Sequence, residues 1–155
     1  MSRKIKWGVI GLGKIAGKFC EDIHLVPAAE LFAVASRSLD NAKSFAQTHG
    51  AQVAYGDYQS IMQDSHVDVI YIATPHTLHA ELTIQCLEAG KAVLCEKPFA
   101  MNASQVQRMV HAAEKNNVFL MEAMWTRFFP STRHVLDLVH KGTIGKVRMV
   151  QADFG

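Results

Sequence analysis

Short β-branched apolar runs alternate with longer stretches of helical period along nearly the whole chain, and this alternation constrains the fold more than any other feature. Ile5–Ile10 is the first apolar run, and Gly11 and Gly13 break it. Residues 14–25 follow, with Ile15, Phe19 and Ile23 at the repeat of one helix face. Pro27 ends that stretch. Residues 31–35 form the second run, and Ser38, Leu39 and Asp40 open a helix to about Thr48, with Gly50 placed as a C-cap. Residues 52–55 read as a weak third strand. The strongest run, 67–73, is apolar nearly throughout, as strands covered on both faces tend to be. A helix over 77–88 stops at Gly90, and strand five covers 91–95. Asn102 reads as the N-cap of a helix to about Asn116, and 118–122 is strand six. The pattern predicts an α/β fold: a parallel sheet with helices on both faces. Right-handed crossovers give it the doubly wound Rossmann order 3-2-1-4-5-6.

Six strands complete such a domain within residues 1–123, and residues 124–155 exceed what it needs. Pro130 suits the first turn of a helix ending near Lys141 and Gly142, and 145–154 reads as a further strand. These residues are expected to be a bridging helix and the first strand of a second, α+β domain. The chain then reads as the N-terminal portion of a longer protein.

Composition narrows the function. The 155 residues, 49% hydrophobic and 19% charged, suffice for one domain with a real core. A formal net charge of +2 provides no basic field suited to nucleic acid. No apolar run approaches the roughly 18 residues of a membrane span. Cys20, Cys86 and Cys95 are odd in number and form no CxxC pair, so a disulfide framework and a zinc ribbon are not expected. A reducing cytoplasm is the expected compartment.

The segment Gly11–Leu12–Gly13–Lys14–Ile15–Ala16 is G-x-G-x-x-A between a strand and a helix, the context a dinucleotide fingerprint requires. Gly11 allows the tight turn, Gly13 lets backbone approach a pyrophosphate, and Ala16 lets helix and strand pack closely. The bland alternative is a glycine-rich turn with no ligand. At the end of strand two an NAD site usually carries Asp or Glu for the ribose 2′-hydroxyl. This chain has Ser36, Arg37 and Ser38 there. A guanidinium and two hydroxyls suit a 2′-phosphate, which a carboxylate would repel. NADP is therefore expected over NAD.

Ligands of open α/β sheets sit outside the carboxyl ends of the strands. Strand four ends in Thr74, Pro75 and His76, with His79 three residues on. The two histidines could line a nicotinamide cleft or simply begin a helix in solvent. A metal site is not expected, because no third ligand recurs at a companion spacing. Strand five ends in Glu96, Lys97 and Pro98. A lysine there can polarise a carbonyl, stabilise an alkoxide or relay a proton. It can equally be a surface lysine, and position alone leaves the two readings even. The Lys97–Pro98 bond can be cis, although most X–Pro bonds are trans. Trp125, Phe128, Phe129 and Phe154 cluster late, fit either for stacking on a cofactor or for packing between domains.

The stretches WGVIGLGKIAGKF, ASRS, YIATPHTLHAELTIQCLEAGKAVLCEKPFAMN and MEAMWTRFFP together resemble the Gfo/Idh/MocA oxidoreductases, over residues 5–155. The chain looks closest to the branch of dimeric dihydrodiol dehydrogenases and NADP-dependent D-xylose dehydrogenases. The resemblance implies an NADP-dependent dehydrogenase acting on CH–OH or CH–CH groups of a sugar, polyol or cyclic diol. It implies Lys97 as the catalytic lysine of the EKP motif. It implies Gly11, Gly13, Lys14, Ile15 and Ala16 at the phosphates and Ser36, Arg37 and Ser38 at the adenosine phosphate. Thr74, Pro75, His76, His79 and Glu96 then line the nicotinamide side, with Trp125 and Arg127 in a covering loop. A second catalytic residue, most substrate contacts and the surface for homo-oligomerisation are implied to come from the C-terminal domain. The alternative from another class is a non-catalytic NADP-binding sensor or truncated homologue.

Overall fold

The computed structural model describes residues 3–153. Its sheet is built from six parallel strands: β1 (Ile5–Ile10), β2 (Ala29–Ala35), β3 (Val53–Tyr55), β4 (Val69–Ile72), β5 (Ala92–Cys95) and β6 (Leu120–Glu122). Their order is β3-β2-β1-β4-β5-β6, the doubly wound arrangement that the alternation predicts. The helices are α1 (Lys14–Ile23), α2 (Leu39–His49), α3 (Tyr58–Gln63), α4 (His79–Glu88), α5 (Ala103–Asn116) and α6 (Pro130–His140). Among the described residues no helix is long and apolar enough to cross a membrane.

Side-chain alternation along the strands explains why both faces are covered. Val9, Val34 and Tyr71 face one side and bury Ala16, Cys20 and Ile23 of α1 with Ala46 of α2. Ile10, Ile70, Ile72 and Val93 face the other and bury residues of α3, α4 and α5, including Ile61, Leu87 and Met109. Strand β4 lies between β1 and β5, so its run of apolar residues has no solvent face to make polar.

Local chemistry sets the helix ends. The Ser38 side chain accepts from the Asn41 N–H, and that of Asn102 accepts from the Gln105 N–H at 3.0 Å. Gly50 closes α2 with φ of 77°. Helix α3 is not anticipated by the apolar periodicity. Asp57 caps it, its carboxylate accepting from the Ser60 N–H at 2.7 Å, and Ile61 and Met62 are buried beneath it.

Chain packing separates residues up to Ala123 from those beginning at Met124. The second unit holds a 3-10 turn, Trp125–Phe128, followed by α6 with Pro130 in its first turn. The strand expected over 145–154 is not formed among the described residues, which are irregular from 146 to 153. A strand is defined by a neighbour that completes its hydrogen bonds, and the described residues of this unit offer none. Phe154 and Gly155 lie outside the described residues.

Candidate cofactor-binding site

The turn after β1 shows why two glycines stand where they do. Gly11 has φ of 89°, and a Cβ built there would meet the backbone carbon of Ala73 and nitrogen of Thr74 at 2.6 Å. Glycine is therefore required for the turn to pass the end of β4. Gly13 differs. Its backbone is extended, and a Cβ there would have nothing within 4 Å. The fold itself does not demand a glycine at 13, but a ligand approaching the backbone would.

Gly13 is also the N-cap of α1, with no side-chain cap and no acidic residue in the first turn. The first N–H groups of α1 have no intrahelical acceptor. With the helix dipole they form a cradle for an anion. Lys14 and Ile15 are exposed beside it, and Ala16 is fully buried against the sheet. Thr74, beside Gly11, is 7% exposed, and its hydroxyl has no hydrogen-bond partner among the described residues. A buried orphan hydroxyl and a cradle of uncapped N–H groups fit a dinucleotide pyrophosphate.

At the end of β2 the Ser36 N–H donates to the Tyr55 carbonyl at 3.1 Å. The Ser38 N–H donates to Ser36 Oγ at 3.3 Å, so the two serines fold into one turn. Ser38 Oγ is also engaged as the cap of α2. Arg37 is exposed and makes no side-chain hydrogen bond or ion pair among the described residues. A cleft of about 420 Å³ runs from Leu12 and Ser36 along α2, past Asn41, Ser44, Thr48 and His49. Sequence reasoning missed this polar stripe. Its signal was the helical spacing of Asn41, Ser44 and Thr48.

The ends of β4 and β5 correct one expectation. His76 is exposed in the 3-10 turn His76–Leu78. His79 is fully buried, with Nε2 2.9 Å from the Thr74 carbonyl and Nδ1 2.9 Å from the Pro98 carbonyl. It therefore ties two loops together and does not line an open cleft. The reason is its place at the start of α4, where a side chain leans back over the preceding turn. Pro75 is exposed, and the Lys97–Pro98 bond is cis. Lys97 is exposed, not buried, and its side chain makes no hydrogen bond or ion pair among the described residues.

Glu96 accepts a hydrogen bond of 2.6 Å from the Tyr71 hydroxyl and, on its other oxygen, the Lys97 N–H at 3.1 Å. Burial, aided by the Glu96 carboxylate, pushes the Tyr71 hydroxyl far above its ordinary pKa, so it stays a donor. Trp125 and Arg127 belong to the second unit, where Trp125 packs edge-on against Phe129 with ring centroids 5.4 Å apart. The first unit thus gathers the phosphate turn, the β2 end and the β4 and β5 ends along the carboxyl edge of one sheet.

The three cysteines are free and buried, each thiol pushed up to about 12 mainly by burial. A thiol held protonated is not a nucleophile. No group of three or more His, Cys, Asp or Glu suited to a metal ion occurs among the described residues.

Comparison with known proteins agrees with this geometry. A trans-1,2-dihydrobenzene-1,2-diol dehydrogenase of Xenopus tropicalis is 44% identical over 152 residues, covering 97% of this chain and 46% of the relative. One from Sus scrofa is 44% identical over 153 residues with the same coverage. The chain thus spans about half the length of the curated relatives it matches. An NAD binding oxidoreductase from Klebsiella pneumoniae superposes with a TM-score of 0.87 at 31% identity, over 92% of this chain and 40% of that one. A 3-ketoreductase from Actinomadura kijaniata in complex with NADP gives 0.86 at 34% identity, over 94% and 47%. Residues 5–124 match the GFO_IDH_MocA family, described as an oxidoreductase family with an NAD-binding Rossmann fold. With the open cradle at Gly13 at the head of a doubly wound sheet, that match makes this chain a member of the Gfo/Idh/MocA oxidoreductases, whose nucleotide-binding fold it carries.

Proposed function

We propose that the chain is the cofactor-binding part of an NADP-dependent dehydrogenase acting on a secondary alcohol or carbonyl of a sugar, polyol or cyclic diol. The open, uncapped, acid-free cradle at Gly13 carries the reading. When bound, the nicotinamide supplies a hydride donor or acceptor at C4.

The chain's own residues then have distinct tasks. Gly11 shapes the turn, and Gly13 with the first N–H groups of α1 holds the pyrophosphate. Lys14, Ile15 and Ala16 complete that turn. Arg37, exposed between Ser36 and Ser38 and without a side-chain partner among the described residues, grips the 2′-phosphate by charge-assisted hydrogen bonds. No carboxylate stands at that strand end to favour the unphosphorylated ribose. Thr74, Pro75, His76 and Glu96 border the nicotinamide side, with His79 acting through the loops it ties. Lys97 presents a cation that polarises the substrate oxygen and takes part in its proton transfer. Its exposure in the first unit leaves it open to substrate.

On this reading Trp125 and Arg127 are further cofactor contacts, and residues 124–155 belong to a second domain. The remainder of that domain supplies the second catalytic residue, the substrate contacts and a surface for homo-oligomerisation. Three free thiols suit a reducing compartment such as the cytoplasm. Relatives named as dehydrogenases and a ketoreductase support turnover. They lend nothing to a sensor that only binds cofactor.

Fluorescence titration with NADPH and NADH tests the cofactor choice. NADPH should bind tighter, and Arg37→Ala should cost about tenfold or more in NADPH affinity while leaving NADH unchanged. Equal affinities in the unaltered protein overturn the Arg37 role. In the complete enzyme Lys97→Met should lower turnover about a hundredfold or more with cofactor affinity kept.

A further inference from the structure

Lys97 lies in an exposed turn, yet the residues on either side of it are held by three side chains from three different elements. Glu96 is pinned by the hydroxyl of Tyr71, on β4, at 2.6 Å. Tyr71 is itself 2% exposed and stacked on Phe19, with ring centroids 4.0 Å apart. The carbonyl of Pro98 lies 2.9 Å from Nδ1 of His79, the first residue of α4, whose other nitrogen reaches the Thr74 carbonyl. The Phe99 N–H donates at 2.9 Å to Oε1 of Glu122, on β6. A carboxylate, a backbone carbonyl and a backbone N–H are therefore each fixed within one short turn.

The Pro98 carbonyl and the Phe99 N–H are part-buried and need partners. Each partner here is a side chain from a different element, so the turn is tied down at several points at once. The effect of the three contacts is to fix where the Lys97 Cα stands, leaving only its flexible side chain to move. Holding a reacting group to within about 1 Å can be worth a hundredfold in rate.

We infer that Tyr71, His79 and Glu122 are positioning residues for Lys97, acting through Glu96, Pro98 and Phe99. The inference rests on the role proposed for Lys97. Of the three, His79 also joins this turn to the Thr74 end of β4, which borders the phosphate turn at Gly11.

The test compares Tyr71→Phe, His79→Gln and Glu122→Ala in the complete enzyme with Tyr55→Phe as a control. Tyr55 donates to Asp64 at 2.8 Å, in a network of similar make-up. NADPH affinity, turnover at saturating cofactor and amide exchange at Lys97 and Phe99 are read for each. For the first three, affinity should stay within about threefold, turnover should fall about tenfold or more, and the turn's amides should exchange faster. Tyr55→Phe should lose stability alone. Glu122→Gln keeps an acceptor for the Phe99 N–H and should restore most of the turnover. Unchanged turnover in all three variants, or an equal loss in Tyr55→Phe, overturns the inference. So does a loss of NADPH affinity in proportion to turnover, which would assign these residues to the cofactor pocket. The exchange measurement needs no activity. Slow exchange kept in all three variants defeats the three-point hold itself, whereas failure of the unaltered enzyme to bind NADPH defeats the proposed function instead.

Discussion

Gly11 and Gly13 stand two residues apart and answer to different demands. Gly11→Ala forces a side chain into a φ of 89° and onto the backbone of Ala73. It should destabilise the protein by about 2 kcal/mol or more, seen as a lowered denaturation midpoint. Gly13→Ala meets open space and should leave that midpoint nearly unchanged, while NADPH affinity falls sharply in titration. If Gly13→Ala binds NADPH normally, the cradle is not where the pyrophosphate sits. Both glycines were legible as a pattern because the fingerprint fixes strand, turn and helix together. The place of His79 was not legible. Its partners are the carbonyls of Thr74 and Pro98, and every residue has a carbonyl, so nothing in the sequence marks which two will meet a ring. The hydrogen bond of Tyr71 to Glu96 was hidden for a related reason. It depends on the register of β4 against β5, which aligns Ile72 with Cys95 and leaves Glu96 just beyond.

All six strands and helices α1, α2, α4, α5 and α6 follow from the alternation, from helical periodicity and from end signals such as Ser38, Asn102 and Pro130. Helix α3 escaped because six residues are too few to show a helical repeat. Asn102→Ala removes the acceptor for the Gln105 N–H and should cost about 1 kcal/mol, lowering the thermal midpoint by about 2–4 °C in calorimetry. Below the sheet, Asp64 ties the end of α3 to its surroundings, accepting from the Tyr55 hydroxyl and from the His66 N–H. Burial raises the pKa of its carboxyl, but the bonds from His66 and Tyr55 outweigh that and leave it below the ordinary value. The unfolded chain then binds the proton more tightly than the folded one. Stability from Asp64 is present above its unfolded pKa of about 4 and is lost as pH falls through the folded value. Asp64→Asn should therefore flatten the acid limb of the stability curve, measured by urea denaturation between about pH 2 and pH 6.

At the scale of the molecule the three thiols report on cooperativity. Cys20 lies in the core on the α1 face of the sheet, and Cys86 and Cys95 lie in the core on the other. Buried thiols with pKa near 12 react only when exposed. A thiol reagent should label none of them under native conditions, and all three together once denaturant opens the sheet. Labelling of Cys20 ahead of the others would mean that the two halves open separately.

The sheet order also has a consequence for the chain's birth. β1 is flanked by β2 and by β4, so Trp7 waits for Val69 and Ile10 for Ile72. On the ribosome, the opening strand must stay half-clothed until the polypeptide past Ile72 has emerged from the exit tunnel. During that interval its N–H and C=O groups on that side lack their strand partner and its apolar side chains lack their cover, which exposes the nascent segment to mispairing.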